Sequence, residues 1–260
     1  MKTSRRTFLQ TSATGLTTAA LASAADPVLG LIFPPANRPI PEEGLLMYPK
    51  GVKFIVAGLG LATMTPEGYD HVIDRIPPAA ETLAKQGAKA IVLMGTSLSF
   101  YKGSAFNLKL TEAIKKATGL PATTMSTAVV EGLRKVGAKR VAVSTAYNEE
   151  VNGRLRVFLT ESGFEVLVVK GLGIEKVEDV DRVTQPQLLD FSAKVRESAP
   201  PANAMLVSCG GLRTLEIIDP LEKRAKVPVV SSTPHALFAG VRLLGLPGLA
   251  PGYGTLLSKA

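Results

Sequence analysis

Residues 91–103, IVLMGTSLSFYKG, read as a buried strand that runs into a turn of glycine, threonine and serine, and residues 204–216, AMLVSCGGLRTLE, repeat the device. A short apolar run bounded by small polar residues is the pattern of a strand covered on both faces, as in a parallel sheet. Two copies of it in one chain predict two similar lobes. The copies differ in one respect: Cys209 stands in the second where Gly95 stands in the first.

Working outward, VLGLIFP (28–34), KFIVAGLGL (53–61), RVAVSTAY (140–147), EVLVVKGLG (165–173) and VPVVSST (227–233) supply further strand-like runs. Helical patterns separate them, which is the signature of an α/β fold with parallel sheets. One covers TPEGYDHVIDRI and continues through AAETLAKQG. STAVVEGLRKVG opens on Ser126 or Thr127 as cap and closes on Gly137, and NEEVNGRLRVFLTESG sets Val151, Leu155, Phe158 and Leu159 on one face before Gly163. The expected architecture is α/β, with two similar lobes, each a parallel sheet flanked by helices. The first lobe is assigned to 27–137, completed by 228–260, and the second to 138–227. Ligands in such sheets bind beyond the carboxyl ends of the strands, so the active site is expected in the cleft between the lobes.

The chain has 260 residues, 46% of them hydrophobic, enough for a substantial core. Residues 1–24, MKTSRRTFLQTSATGLTTAALASA, join a paired arginine to a modest apolar run and end on a small-x-small triplet, Ala22-Ser23-Ala24. This predicts a cleavable twin-arginine export signal, with the export machinery as a partner and a periplasmic or exported product. Loss of Lys2, Arg5 and Arg6 would lower the formal charge from +8 to +5. The remaining basic residues suit solvated faces, and no interleaving with aromatics suggests nucleic acid. No later segment is apolar for long enough to span a bilayer, so no membrane association is expected after signal removal.

Cys209 is the only cysteine, which excludes an intramolecular disulfide and a cysteine-based metal cluster. His71 and His235 lack ligand spacing; His71 suits a helix surface and His235 packing or a helix start. Gly58-Leu59-Gly60 and Gly171-Leu172-Gly173 lack the third glycine of a dinucleotide loop.

Chemistry therefore has to come from the strand-end turns. Thr96, Ser97 and Tyr147 offer hydroxyls, and the turns after Gly95 and Cys209 offer backbone N–H groups at helix starts. Together they suit a carboxylate that becomes an enediolate. Singly, Thr96 and Ser97 could cap a helix and Tyr147 could pack at a strand end. For Cys209 the alternatives are a small buried hydrophobe or a reactive thiol. Gly210 and Gly211 allow close approach, and LRTLEII begins a helix whose amides could tune the thiol to a pKa of roughly 8.5 or lower, suited to proton delivery.

MGTSLSFYKGSAFN (94–107), TGLPATTMSTAV (118–129), LVSCGGL (206–212) and PGYG (251–254) resemble the arylmalonate decarboxylase family, within the aspartate/glutamate racemase and maleate isomerase superfamily. The resemblance runs from about Leu31 to the C-terminus. It implies cofactor-independent decarboxylation of aryl- or alkenyl-substituted malonates to enantiopure acids. One carboxylate would lie in a dioxyanion pocket of Thr96, Ser97, Tyr147 and the amides near Cys209 and Gly210. The other would lie against Leu61, Met64, Val177 and Val180, with Pro34 nearby, and Cys209 would protonate one face of the enediolate. Racemases of the superfamily carry a cysteine in each lobe; Gly95 in the first position implies one-sided protonation. The alternatives are an isomerase or lyase of the same superfamily acting on another small dicarboxylate, and an exported carboxylate-binding protein without catalysis. The decarboxylase reading calls for no metal, thiamine or pyridoxal cofactor.

Overall fold

The computed structural model describes residues 25–259, so the expected export signal lies outside the described residues. The first half of the chain forms β1 (Val28–Phe33), α1 (Glu42–Met47), β2 (Lys53–Gly58), α2 (Pro66–Asp70), α3 (Ile76–Lys85), β3 (Ala90–Leu93), α4 (Thr96–Phe100), α5 (Ser104–Thr118), β4 (Ala122–Thr124) and α6 (Met125–Lys135). The second forms β5 (Arg140–Thr145), α7 (Glu149–Glu161), β6 (Glu165–Gly171), α8 (Gln185–Glu197), β7 (Ala204–Ser208), α9 (Leu215–Ala225), β8 (Val229–Ser231) and α10 (Ser232–Leu243).

Two four-stranded sheets result, ordered β2-β1-β3-β4 and β6-β5-β7-β8, and every strand pair in them is parallel. The order is the same in both, so β3 and β7 occupy equivalent places. Both are buried along their whole length, because helices cover the two faces of each sheet, and this is why they read as unbroken apolar runs. No helix among the described residues is long and apolar enough to cross a membrane.

Three expectations need correction. Residues 227–233 do not complete the first lobe as a strand: β8 pairs with β7, Met205 opposite Val229, in the second sheet. The chain returns to the first lobe only with α10, which packs on α6, β3 and β4. The fourth strand of the first sheet is instead β4, three residues of ATT beside β3, too short and too polar to stand out in the sequence. Third, α6 is capped by neither Ser126 nor Thr127. The Thr124 hydroxyl accepts from Thr127 N at 3.1 Å, placing the helix start one residue before the apolar periodicity begins. The helix over 149–161 buries Val151, Leu155, Phe158 and Leu159, with Asn148 as its cap.

Candidate active site

In each sheet the first and third strands are neighbours, so the chain leaves their carboxyl ends in opposite directions and a crevice opens between. The turns at these ends are Pro34–Asn37 and Met94–Ser97 in the first lobe, Ala146–Asn148 and Cys209–Leu212 in the second. The lobes press these turns together. A Cβ on Gly210 would lie 3.1 Å from Met94 O and 3.0 Å from Met125 Sδ, so glycine lets the turns approach without displacing either.

The resulting pocket is lined by Pro34, Leu61, Met64, Gly95, Thr96 and Ser97 from the first lobe and by Val177, Val180, Cys209 and Gly210 from the second. Tyr147 stands directly behind this lining, fully buried, its hydroxyl 3.3 Å from Ser208 Oγ and beside Thr96 and Cys209, and burial holds its phenol well above the usual range. The pocket also includes Phe33, Met94, Arg38 and Gly211. Its free volume is about 40 Å³, room for about one water molecule. A second, polar groove of about 750 Å³ adjoins it and shares Phe33, Arg38, Gly210 and Gly211.

Thr96 opens α4 and its Oγ1 lies 2.9 Å from Ser232 Oγ and 2.8 Å from Met125 Sδ. Ser232 Oγ also accepts from Cys209 N at 3.2 Å, so one serine at the head of α10 ties the two strand-end turns together. The Cys209 amide is thereby occupied, which leaves the amides that follow it in the turn. The Thr233 hydroxyl adds a bond to Gly210 O at 3.0 Å. Tyr69, from α2, brings a buried hydroxyl beside Ser97 and Cys209 that closes no hydrogen bond.

Cys209 is buried and has φ +156°, a conformation side chains rarely adopt. Burial pushes its thiol up, against smaller opposing effects from the Gly211 amide, the Arg38 cation, the Leu212 amide and the Tyr147 hydroxyl. The expected lowering by the following helix does not occur. The Thr214 and Leu215 amides that start α9 donate to Glu43 Oε1 of the first lobe at 2.8 and 3.0 Å. Glu43 is itself buried, which raises its carboxyl despite those donors.

Gly95 lines the pocket and is closely packed. The space beside it is filled: a Cβ would meet Pro34 Cγ at 2.7 Å and Leu98 Cβ at 3.1 Å. Across the mouth, Met64 N donates to Glu175 O at 2.8 Å and Val177 N to Ala62 O at 3.2 Å, so one loop from each lobe pairs above the apolar wall. His71 is exposed, and His235 is buried with its pKa lowered to about 4 by desolvation, so it is neutral.

Sequence reasoning missed Tyr69, Arg38 and Ser232. Tyr69 lies in an ordinary amphipathic run, and Arg38 and Ser232 gain their roles from contacts more than a hundred residues away. The geometry assembles a buried thiol, hydroxyls on one side and hydrocarbon on the other, which suits a carbanion formed next to a carboxylate.

The arylmalonate decarboxylase family model matches residues 29–257. Arylmalonate decarboxylase of Bordetella bronchiseptica is 49% identical over 238 residues, covering 91% of this chain and 99% of that one. A solved glycine-to-cysteine, cysteine-to-serine variant of arylmalonate decarboxylase in a liganded form superposes with a TM-score of 0.88 at 48% identity, covering 90% of this chain and all of that one. Its two exchanged residues stand as far apart in sequence as Gly95 and Cys209. Maleate isomerase from Pseudomonas putida S16, at 23% identity and a TM-score of 0.83, covers 89% of this chain and 98% of its own and shares the fold.

Proposed function

Because the chain belongs to the arylmalonate decarboxylase family and is a decarboxylase, we propose that it removes one carboxyl group from malonates bearing an aryl or alkenyl substituent, with Cys209 as the proton donor. The substrate carboxylate that remains is held by the hydroxyls of Thr96, Ser97 and Tyr147, with that of Tyr69 beside them, and by the amides of Gly210 and Gly211 in the turn after Cys209. The one that leaves lies against Leu61, Met64, Val177 and Val180 near Pro34. The bond from the α-carbon to this second carboxylate breaks, its electron pair stays on the α-carbon, and carbon dioxide departs. The pair delocalises into the remaining carboxylate as an enediolate and into the aryl or alkenyl group. Fixed donors stabilise that charge without reorganisation. Cys209 S–H then delivers its proton to one face of the carbon, and the thiolate recovers a proton from solvent as the product leaves. No step requires a cofactor.

The observation that carries this reading is a buried, unpaired thiol at the junction of polar and apolar walls, where desolvation favours its protonated form. A thiolate there would be a base or a nucleophile; a thiol is an acid. Gly95 on the equivalent turn supplies no second proton carrier, which supports a single-enantiomer product. The loops paired at 62–64 and 175–177 bound the site on its apolar side. The proposal extends to export through the twin-arginine machinery, on the strength of residues 1–24.

The test is incubation with phenylmalonate and methylphenylmalonate in deuterated buffer, following carbon dioxide and the α-carbon. Stoichiometric carbon dioxide, deuterium at the α-carbon and a single enantiomer from methylphenylmalonate are expected. Binding without carbon dioxide release would refute the reading.

A further inference from the structure

Arg38 is the single charged side chain among the described residues lining the reaction pocket. It comes from the segment after β1. Nη1 donates to Asp181 Oδ1 at 3.1 Å and to Oδ2 at 3.4 Å, and Nη2 donates to Gly211 O at 3.3 Å. Asp181 belongs to the second lobe, on the 3₁₀ turn Val177–Arg182 that also supplies Val177 and Val180 to the apolar wall. The guanidinium is therefore bound to the wall against which the departing carboxylate lies. It is 22% exposed and its partner 52%, so the pair stands at the mouth, where the pocket meets the larger groove. A guanidinium carries five N–H groups, and this one has N–H groups left over for a ligand.

The substrate class proposed above, on which this inference rests, is a dianion near neutral pH, and its product is a monoanion. Neutral donors and hydrocarbon alone would leave the second charge to be desolvated without compensation. A cation clamped onto that carboxylate would have the opposite fault. Carbon dioxide is neutral, so such an ion pair stabilises the bound substrate more than the transition state and lowers kcat together with KM.

We propose that Arg38 is a specificity-determining residue that selects malonate dianions over their monocarboxylate products, while Asp181 holds the guanidinium at the pocket mouth so that it recruits the departing carboxylate without clamping it. The positive charge is felt inside the site, where it opposes the burial effect on the Cys209 thiol. Once carbon dioxide has left, the product has nothing to offer Arg38. Release is favoured accordingly.

The test compares Arg38→Met, which keeps length and removes charge, with Arg38→Lys and Asp181→Asn. The readouts are kcat and KM for phenylmalonate and the inhibition constant of phenylacetate, at low and high salt. Arg38→Met is expected to raise KM about 10-fold, the low end for a charge-assisted contact that solvent partly screens, while the phenylacetate constant moves less than about 2-fold and kcat is not lowered. Arg38→Lys should restore part of the KM. Asp181→Asn should lower KM and kcat together, by roughly 3- to 10-fold each. Added salt should weaken phenylmalonate binding in the wild type and less in Arg38→Met. An unchanged KM in Arg38→Met, or parallel losses for phenylmalonate and phenylacetate, would overturn the proposal. Equilibrium binding of both acids to Cys209→Ser, with and without Arg38→Met, separates the two levels. A wild type that releases no carbon dioxide refutes the substrate reading, whereas a Cys209→Ser background that shows no Arg38-dependent preference for the diacid refutes the role of Arg38.

Discussion

At the scale of a single residue, the proposed chemistry falls to Cys209. Its thiol is desolvated, and the helix start that could have made it a thiolate is occupied by Glu43. Cys209→Ser is therefore expected to leave the fold intact, since the change is nearly isosteric, and to slow turnover by roughly 10²–10⁴-fold, the usual loss of a general acid. Near-normal turnover in the folded variant would remove Cys209 from the role of proton donor. The pH profile gives a second reading of the same residue. A general acid must be protonated to act, and burial raises this thiol, so kcat should hold through the ordinary thiol range near 8.5 and fall only as pH rises through the higher value. An alkaline limb at or below the ordinary value would mean that the thiol is not desolvated in the working enzyme. The sequence marks Cys209, Gly95, Thr96 and Ser97 by their position at strand ends. It could not indicate that Thr96 and the Cys209 amide meet on Ser232, because that contact joins turns from different lobes.

At the scale of elements, β3 and β7 hold equivalent places in sheets of the same order, and the turns that follow them carry Gly95 and Cys209. Gly95→Cys is expected to give racemisation of a single-enantiomer 2-arylpropionate, lower optical purity of the decarboxylation product and weaker decarboxylation. A thiol at 95 would approach the substrate from the turn that faces Cys209, so one sulfur can remove the α-proton while the other returns one. The structure adds a condition that the sequence did not suggest. Pro34 Cγ stands 2.7 Å from the new Cβ, so Pro34 must shift, and a stability loss of about 1–3 kcal/mol is expected from overpacking. Chiral chromatography with α-deuterium uptake measures the activity, and thermal unfolding measures the strain. Full optical purity with no deuterium exchange in the folded variant would mean that the two turns do not face each other across the α-carbon.

For the whole molecule, the proposal of export rests on residues 1–24, outside the described residues. Replacing Arg5 and Arg6 with lysine is expected to leave the protein in the cytoplasm with its first 24 residues attached, and the wild type is expected processed in the exported fraction, as fractionation with N-terminal analysis would show. A wild type that remains cytoplasmic and keeps Met1 would end that proposal. What the sequence alone determined is the class of the fold and the strand-end residues. Helix and strand periods are local, as in the α7 face of Val151, Leu155, Phe158 and Leu159, and a buried parallel strand such as β3 needs only an unbroken apolar run. The short polar β4 and the assignment of β8 to the second sheet were decided by the tertiary structure. A three-residue strand has too few side chains to declare a period, and its sheet is chosen by whichever neighbour has free backbone groups to pair. The same holds within the site. Arg38, Tyr69, Glu43 and Ser232 are ordinary residues in ordinary segments, and only the approach of two lobes gives them burial, charge partners and a common pocket. Electrostatics and desolvation depend on distances in space, which no spacing along the chain records.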